Sequence, residues 1–308
     1  MDSSSKRSDT ASAVIWMIMA LVGFSLLAVA SRELTMQMGT LDILFWRSLM
    51  GFTLISVLLL RSGVRSMATL QLHLSGWHML RNTAHFAGQC AWLMAIAVLP
   101  LAEVFALEFT TPLWAALLAA LFLGEALNRG RWISLLLGLA GVLVILRPGA
   151  AVINPASLIM LAGAVGFGVS VITTRKLTLL LKGRRESYLL ILFFMTGMQG
   201  LFSLLALLSD VSLPEPELWL WLAVAAVTAL AAHYCLSRAL SLADAAVVMP
   251  IDYLRLPLIM LVAWWLYGEV VSLSLMLGAA LIVAANAVGL YIETSRVKRQ
   301  LGELNPKE

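Results

Sequence analysis

Two inverted five-helix repeats, together ten transmembrane helices in an all-α polytopic membrane protein, are the expected architecture of this chain. Three observations lead there. The 308 residues are 61% hydrophobic and only 12% charged, with mean hydropathy +0.93, whereas soluble domains carry about 25% charged residues. Ten apolar runs divide the chain, too many for a tethered soluble domain. Two of those runs share one design: residues 100–125 hold Glu108 and residues 243–269 hold Asp252, and each acid stands 17 positions before the glutamate of a closing Gly-Glu.

In order, the spans are expected at 14–31, 41–60, 77–98, 101–124, 131–147, 155–174, 187–208, 217–240, 244–268 and 272–292, near the length of about 20 residues that crosses a bilayer. The polar start, residues 1–13, has no small-residue cleavage site after it and reads as a cytoplasmic tail rather than a leader. Residues 294–308 read as a second cytoplasmic tail. Span one contains VGFSLLAVASREL and span six VGFGVSVITTRKL, 143 positions apart, against 144 between Glu108 and Asp252. Spans five and ten share a glycine-bearing run; spans two and seven align poorly. The repeats are therefore expected at 14–150 and 151–293. Five helices is an odd number, so the second repeat enters the membrane from the other side, the inverted arrangement of many secondary transporters.

Sixteen Lys and Arg fall in the connections and ends of one side, among them Arg61, Arg129, Lys182 and Arg299, against Arg32 and Arg147 on the other. Basic residues collect on the cytoplasmic side, which places both termini in the cytoplasm of an inner-membrane protein. The pI of 9.3 is thus a topology signal, and nucleic acid is not an expected partner. The expected partners are a small-molecule substrate and the lipid bilayer; a homodimer stays open.

FWRSLMGF in span two, LPLAEVFALEFTTPLWAALLAALFLGE in span four and ALSLADAAVVMP…GE across spans eight and nine make the chain resemble the drug/metabolite transporter superfamily, in its ten-helix EamA-type form. LRNTAHF in span three and MPIDYLRLP in span nine are more similar to the branch holding bacterial S-adenosylmethionine and riboflavin carriers. The resemblance covers nearly the whole chain. It implies a central cavity lined by both repeats, with spans five and ten packed away from it.

Glu108 lies roughly 12 Å into its span by helical rise. An acid at such depth is costly and reads as functional, a proton or cation site; the alternative is a hydrogen-bonded glutamate pinning spans together. Thr111 and Pro112 share its face. Asp252 and Arg255 stand at i,i+3 on span nine, beside Tyr253, with Pro250 and Pro257 bracketing a broken or kinked helix. They line the cavity, or form a self-satisfied pair that stabilises the bend. Span three carries a stripe of Arg81, His85, Gly88, Gln89 and Trp92. Arg81, near the cytoplasmic end, anchors to lipid phosphate or holds a carboxylate or phosphate bidentately. His85 is a proton acceptor or a structural hydrogen-bonder, and Trp92 stacks on a flat ligand or simply packs. The substrate-site candidates are Glu108, Asp252, Arg255, Arg81, His85, Trp92 and Tyr253; Glu108 and Asp252 are also the candidates for ion coupling.

Arg47 in span two is expected to pair structurally with an acid or snorkel outward. His233, Tyr234 and Arg238 would complete the cavity wall, Glu125 and Glu269 would cap or hinge span ends, and Trp16, Trp77, Trp132 and Trp219 would anchor at the interfaces. Cys90 and Cys235 read as packing residues. No nucleophile motif, Walker loop or acid pair suggests an enzyme. His73, His78, His85 and His233 have no metal-ligand spacing, so neither metal nor other cofactor is expected. Both charge signs in one cavity favour a zwitterionic or amphoteric solute, such as an amino acid derivative. An intramembrane enzyme acting on a lipid-linked substrate and a non-transporting receptor or scaffold are the competing classes.

Overall fold

The computed structural model describes residues 3–61, 74–123, 129–147, 153–180, 187–208, 210–242, 248 and 251–304. Glu125 and Pro250 lie outside them. The described chain is helical, with no strand: α1 (Ser3–Thr35), α2 (Thr40–Arg61), α3 (Ser75–Val98), α4 (Leu101–Glu108), α5 (Thr111–Leu123), α6 (Arg129–Leu146), α7 (Pro155–Leu180), α8 (Ser187–Leu207), α9 (Leu218–Leu242), α10 (Arg255–Tyr267) and α11 (Leu273–Leu304). The helical backbone of α1 and α11 runs on into both segments expected as polar tails.

Among the described residues seven helices are long and apolar enough to cross a membrane, α4 and α5 counting as one. The other expected spans fall short of that measure for local reasons. In α3 the polar residues His78, Arg81, Asn82, His85 and Gln89 dilute the apolar run. The apolar part of α6 is only Trp132–Leu146. α10 is short because the chain turns at Tyr253–Leu254 before it. Large apolar side chains such as Phe122, Leu205, Trp264 and Trp265 lie exposed around the outside. Lipid accommodates such a surface and water does not.

The helices pack in pairs: α1 with α9, α3 with α7, α6 with α11 and α2 with α8. Small residues permit the closest of these crossings. A Cβ on Gly141 of α6 would stand 2.7 Å from the Gly278 carbonyl oxygen, and a Cβ on Gly278 would stand 2.7 Å from that of Gly141. At the centre is α4, whose Leu101, Val104, Phe105, Ala106 and Leu107 are fully buried. Its two acids are both engaged, Glu103 accepting from Ser157 and Glu108 from Trp92, so the rest of this apolar helix suits such a place.

The two acid-bearing spans break at matching points. α4 ends at Glu108, Phe109–Thr110 form a turn, and α5 resumes at Thr111. Pro112 has no N–H to continue the ladder, and the N–H groups of Leu113 and Trp114 both turn to the Thr110 carbonyl. The Phe109 carbonyl is then satisfied by Asn286 Nδ2 of α11, at 2.7 Å. In the second case Ile251 and Asp252 are helical, Tyr253–Leu254 turn, and α10 begins at Arg255. Pro257 again removes a donor, and the Leu256 N–H reaches the Tyr253 carbonyl instead.

One end of this core is tied by charge. α10 stops at Gly268, whose φ of 63° is natural for glycine. The N–H groups of Gly268 and Glu269 return to Trp264 and Ala263, a left-handed glycine ending. That ending turns Glu269 back onto α4, where Oε2 accepts the Leu101 N–H at 2.8 Å and Oε1 pairs with Arg32 at 2.6 Å. Glu269 is a capping residue, but the helix it caps is α4 rather than its own. Trp77 and Trp132 lie exposed, whereas Trp16 packs edge-on against Tyr234 and Trp219 against Trp46.

Candidate functional site

The break after Glu108 and the break after Asp252 bring three charged side chains together. Arg255 Nη1 lies 3.2 Å from Glu108 Oε1, and its Nη2 lies 3.4 Å from Asp252 Oδ2. Glu108 had no local cation in the sequence, and its partner arrives from the other half of the chain. Trp92 Nε1 donates to the second Glu108 oxygen, Oε2, at 2.8 Å, so Trp92 serves the carboxylate as well as packing against Phe105. The guanidinium stands over the rings of Phe24, Phe109 and Phe105 at 4.8, 4.9 and 5.4 Å, contacts that suit a desolvated cation. Tyr253 packs edge-on against Phe109, ring centroids 6.0 Å apart. Two acids against one cation leave the group formally short of one positive charge. Among the described residues, Asp252 Oδ1 and Arg255 Nε have no hydrogen-bond partner.

A second polar centre lies between α2, α3, α8 and α9. Its cavity, about 20 Å³, has room for about one water. Arg47, Ser48, His85, Gln89, Gln199 and His233 supply its polar lining. Gln89 Oε1 accepts from Arg47 Nη2 at 2.9 Å, and Gln199 Nε2 donates to His85 Nδ1 at 2.8 Å. The His85 and His233 rings lie 6.0 Å apart, and His233 meets Phe24, which also touches Arg255. The two centres are therefore neighbours through one aromatic ring.

Of the sequence candidates, Glu108, Asp252, Arg255, Trp92 and Tyr253 gather at the first centre and His85 lines the cavity. Arg81 joins neither. It is buried rather than anchored to lipid, with Nε on Thr174 Oγ1 at 3.1 Å and Nη1 on Asn82 Oδ1 at 2.6 Å. Gly88 of the same stripe is a packing residue, its Cα face closed by Phe167 and the Gly163 carbonyl. Arg47 corrects its expectation too. Among the described residues no carboxylate pairs with it, and it faces the cavity inward. Gln199 escaped the sequence reading because an isolated glutamine in an apolar run carries no spacing signal; its depth within span seven was the available clue. His233 lines the cavity as expected, but Tyr234 and Arg238 do not. Among the described residues no three His, Cys, Asp or Glu converge to hold a metal ion.

The model of the EamA-like transporter family matches residues 11–147 and again residues 154–290. A riboflavin transporter of Rhizobium johnstonii is 32% identical over 289 residues, covering 93% of this chain and 92% of that one. An S-adenosylmethionine uptake transporter of Rickettsia bellii is 23% identical over 93% of this chain and 96% of that one. A pseudopaline exporter of Pseudomonas aeruginosa is 27% identical over 94% and 97%. A solved crystal structure superposes with a TM-score of 0.62 at 20% identity, over 92% of this chain and 97% of that one, a likeness of fold alone. The family and the relatives' names point to transport rather than to enzymic chemistry.

Proposed function

We propose that this chain, which belongs to the EamA-like transporter family, is a secondary carrier that moves a small zwitterionic or amphoteric metabolite across the inner membrane by alternating access. One observation carries the reading: Arg255 binds Glu108 from one half of the chain and Asp252 from the other, at the two chain breaks. Such a bridge is a two-position element. A substrate cation competing for the two carboxylates would release Arg255 and free the halves to rock, and a proton on Glu108, the acid that Arg255 reaches across the halves, would do the same. Differential contact of this kind is what couples a ligand or proton to a conformational change.

The inverted-repeat reading, with units 14–150 and 151–293, draws support from the same geometry. Glu108 and Asp252 each end a helical segment, and Phe109 and Tyr253, again 144 apart, touch. In ten-span terms a twofold exchange turns the α1·α9 pair into the α7·α3 pair and returns α2·α8 and α6·α11 to themselves. The family model also matches twice. With both termini cytoplasmic, reporter fusions after Leu60 and Gly183 read cytoplasmic and one after Asp210 reads external; an external signal at Gly183 removes the inverted topology.

Riboflavin is the specific competitor to an amphoteric solute. The relatives at 29–32% identity carry it in their names, and the rings of Phe24, Phe105, Phe109, Trp92 and Tyr253 beside Arg255 favour a flat ligand. Flux into proteoliposomes decides between them, with labelled S-adenosylmethionine, amino acid derivatives and riboflavin as the panel. Saturable flux of an amphoteric member supports the proposal. Riboflavin flux alone replaces the substrate class, and no flux of any member counts against the carrier reading.

A further inference from the structure

We infer that the cavity between α2, α3, α8 and α9 is a carboxylate subsite, with Arg47 its anchor and Ser48 its second donor. The inference rests on the carrier reading for its purpose but not for its test. Arg47 is 6% exposed and Ser48 2%. Both line the cavity, and among the described residues Arg47 Nη1 and Ser48 Oγ have no hydrogen-bond partner. Leaving such donors buried and unmatched is costly, and an unpaired guanidinium costs most. Nothing in the wall repays that cost. The cavity has no acid among its lining residues, and Gln89 engages only Nη2.

The free groups specify the ligand. Arg47 Nη1 and the Ser48 hydroxyl are donors beside one fixed positive charge, so the occupant is an anionic acceptor; a cation would meet repulsion. With Gln199 Nε2 donating to His85 Nδ1, the imidazole proton sits on Nε2, a further donor in the same wall. A space this small, about 20 Å³, favours the smallest oxyanion end group, a planar carboxylate, over a tetrahedral phosphate dianion, and seating it opens the wall beyond the volume of one water. A guanidinium matches the two oxygens of a carboxylate in one plane. The acid-rich centre at Glu108 and Asp252 lies across Phe24 and is short of one positive charge. A zwitterion would therefore be oriented, its carboxylate at Arg47 and its cationic end towards Glu108 and Asp252.

The probe is formate, titrated against the full chain in lipid nanodiscs at constant ionic strength with chloride as the balance, read as the unfolding midpoint. The expected result is a saturable rise in the unmodified protein. Arg47→Gln abolishes it, Arg47→Lys weakens the apparent affinity about tenfold, as loss of a bidentate pair implies, and Ser48→Ala weakens it several-fold. Ser48→Ala removes only a hydroxyl and keeps the test decisive where Arg47→Gln fails to fold. No saturable rise in the unmodified protein, meaning that the cavity holds only water, overturns the subsite. So does an undiminished rise in Arg47→Gln or Ser48→Ala. A formate effect without flux of any panel member leaves an anion site and sinks the carrier; flux without a formate effect does the reverse.

Discussion

Arg255 and Arg47 are guanidinium groups at nearly equal burial, 7% and 6% exposed, in opposite company. Arg255 stands between two carboxylates and over three aromatic faces. Arg47 has one neutral amide on one nitrogen. A buried charge is tolerable only when it is paired and hydrogen-bonded, so the first guanidinium is already matched within the protein and the second is matched only when something else arrives. One holds two halves of the chain together. The other waits on a ligand.

Removing the guanidinium tests the contrast most severely. Arg255→Gln leaves Glu108 and Asp252 buried without their cation, and should cost roughly 3–5 kcal/mol of stability. Arg47→Gln removes a charge with no acid partner and should be neutral or stabilising. Thermal unfolding and the yield of monodisperse protein measure both; equal destabilisation by the two changes would erase the distinction. Trp92→Phe comes next. It keeps an aromatic ring but removes one hydrogen bond, 2.8 Å, to an acid, a loss of about 1.5–3 kcal/mol if the carboxylate is ionised, to which the space left by the smaller ring adds. Among the changes at the bridge, Asp252→Asn should do least, about 1 kcal/mol. Its contact with Arg255 is the longer one, 3.4 Å, and a neutral Arg255–Glu108 pair remains. Asp252→Asn costing as much as Arg255→Gln would show that Asp252 rather than Glu108 is the main partner.

The site was legible in the sequence where local spacing carried it. Prolines 112 and 257 beside deep acids marked both breaks, and Asp252 and Arg255 at i,i+3 marked their contact. The Arg255–Glu108 contact was not legible, because its partners are 147 positions apart and only packing brings them together. Where Arg81 and Arg47 face was not legible, for one reason. Depth along a helix can be counted from its end, but the direction a side chain faces depends on neighbours. Thr174 of α7 draws Arg81 inward, and the gap between α2, α3, α8 and α9 receives Arg47. The Glu269 cap of α4 was hidden likewise, since a Gly-Glu ending shows where its helix stops and not which helix start lies beside it.

The central claim is that proton or substrate binding at Glu108 works the bridge to Arg255. Glu108→Gln keeps the shape and can still accept from Trp92 or from Arg255 through its one carbonyl oxygen, but it has no proton to release. The decisive measurement is uptake of the transported panel member into proteoliposomes with and without an imposed pH gradient, for the unmodified protein and Glu108→Gln. Glu108→Gln is predicted to fold and bind substrate, yet to lose both the pH dependence of flux and accumulation against a gradient. Accumulation equal to that of the unmodified protein would contradict the claim, leaving Glu108 a structural partner of Arg255.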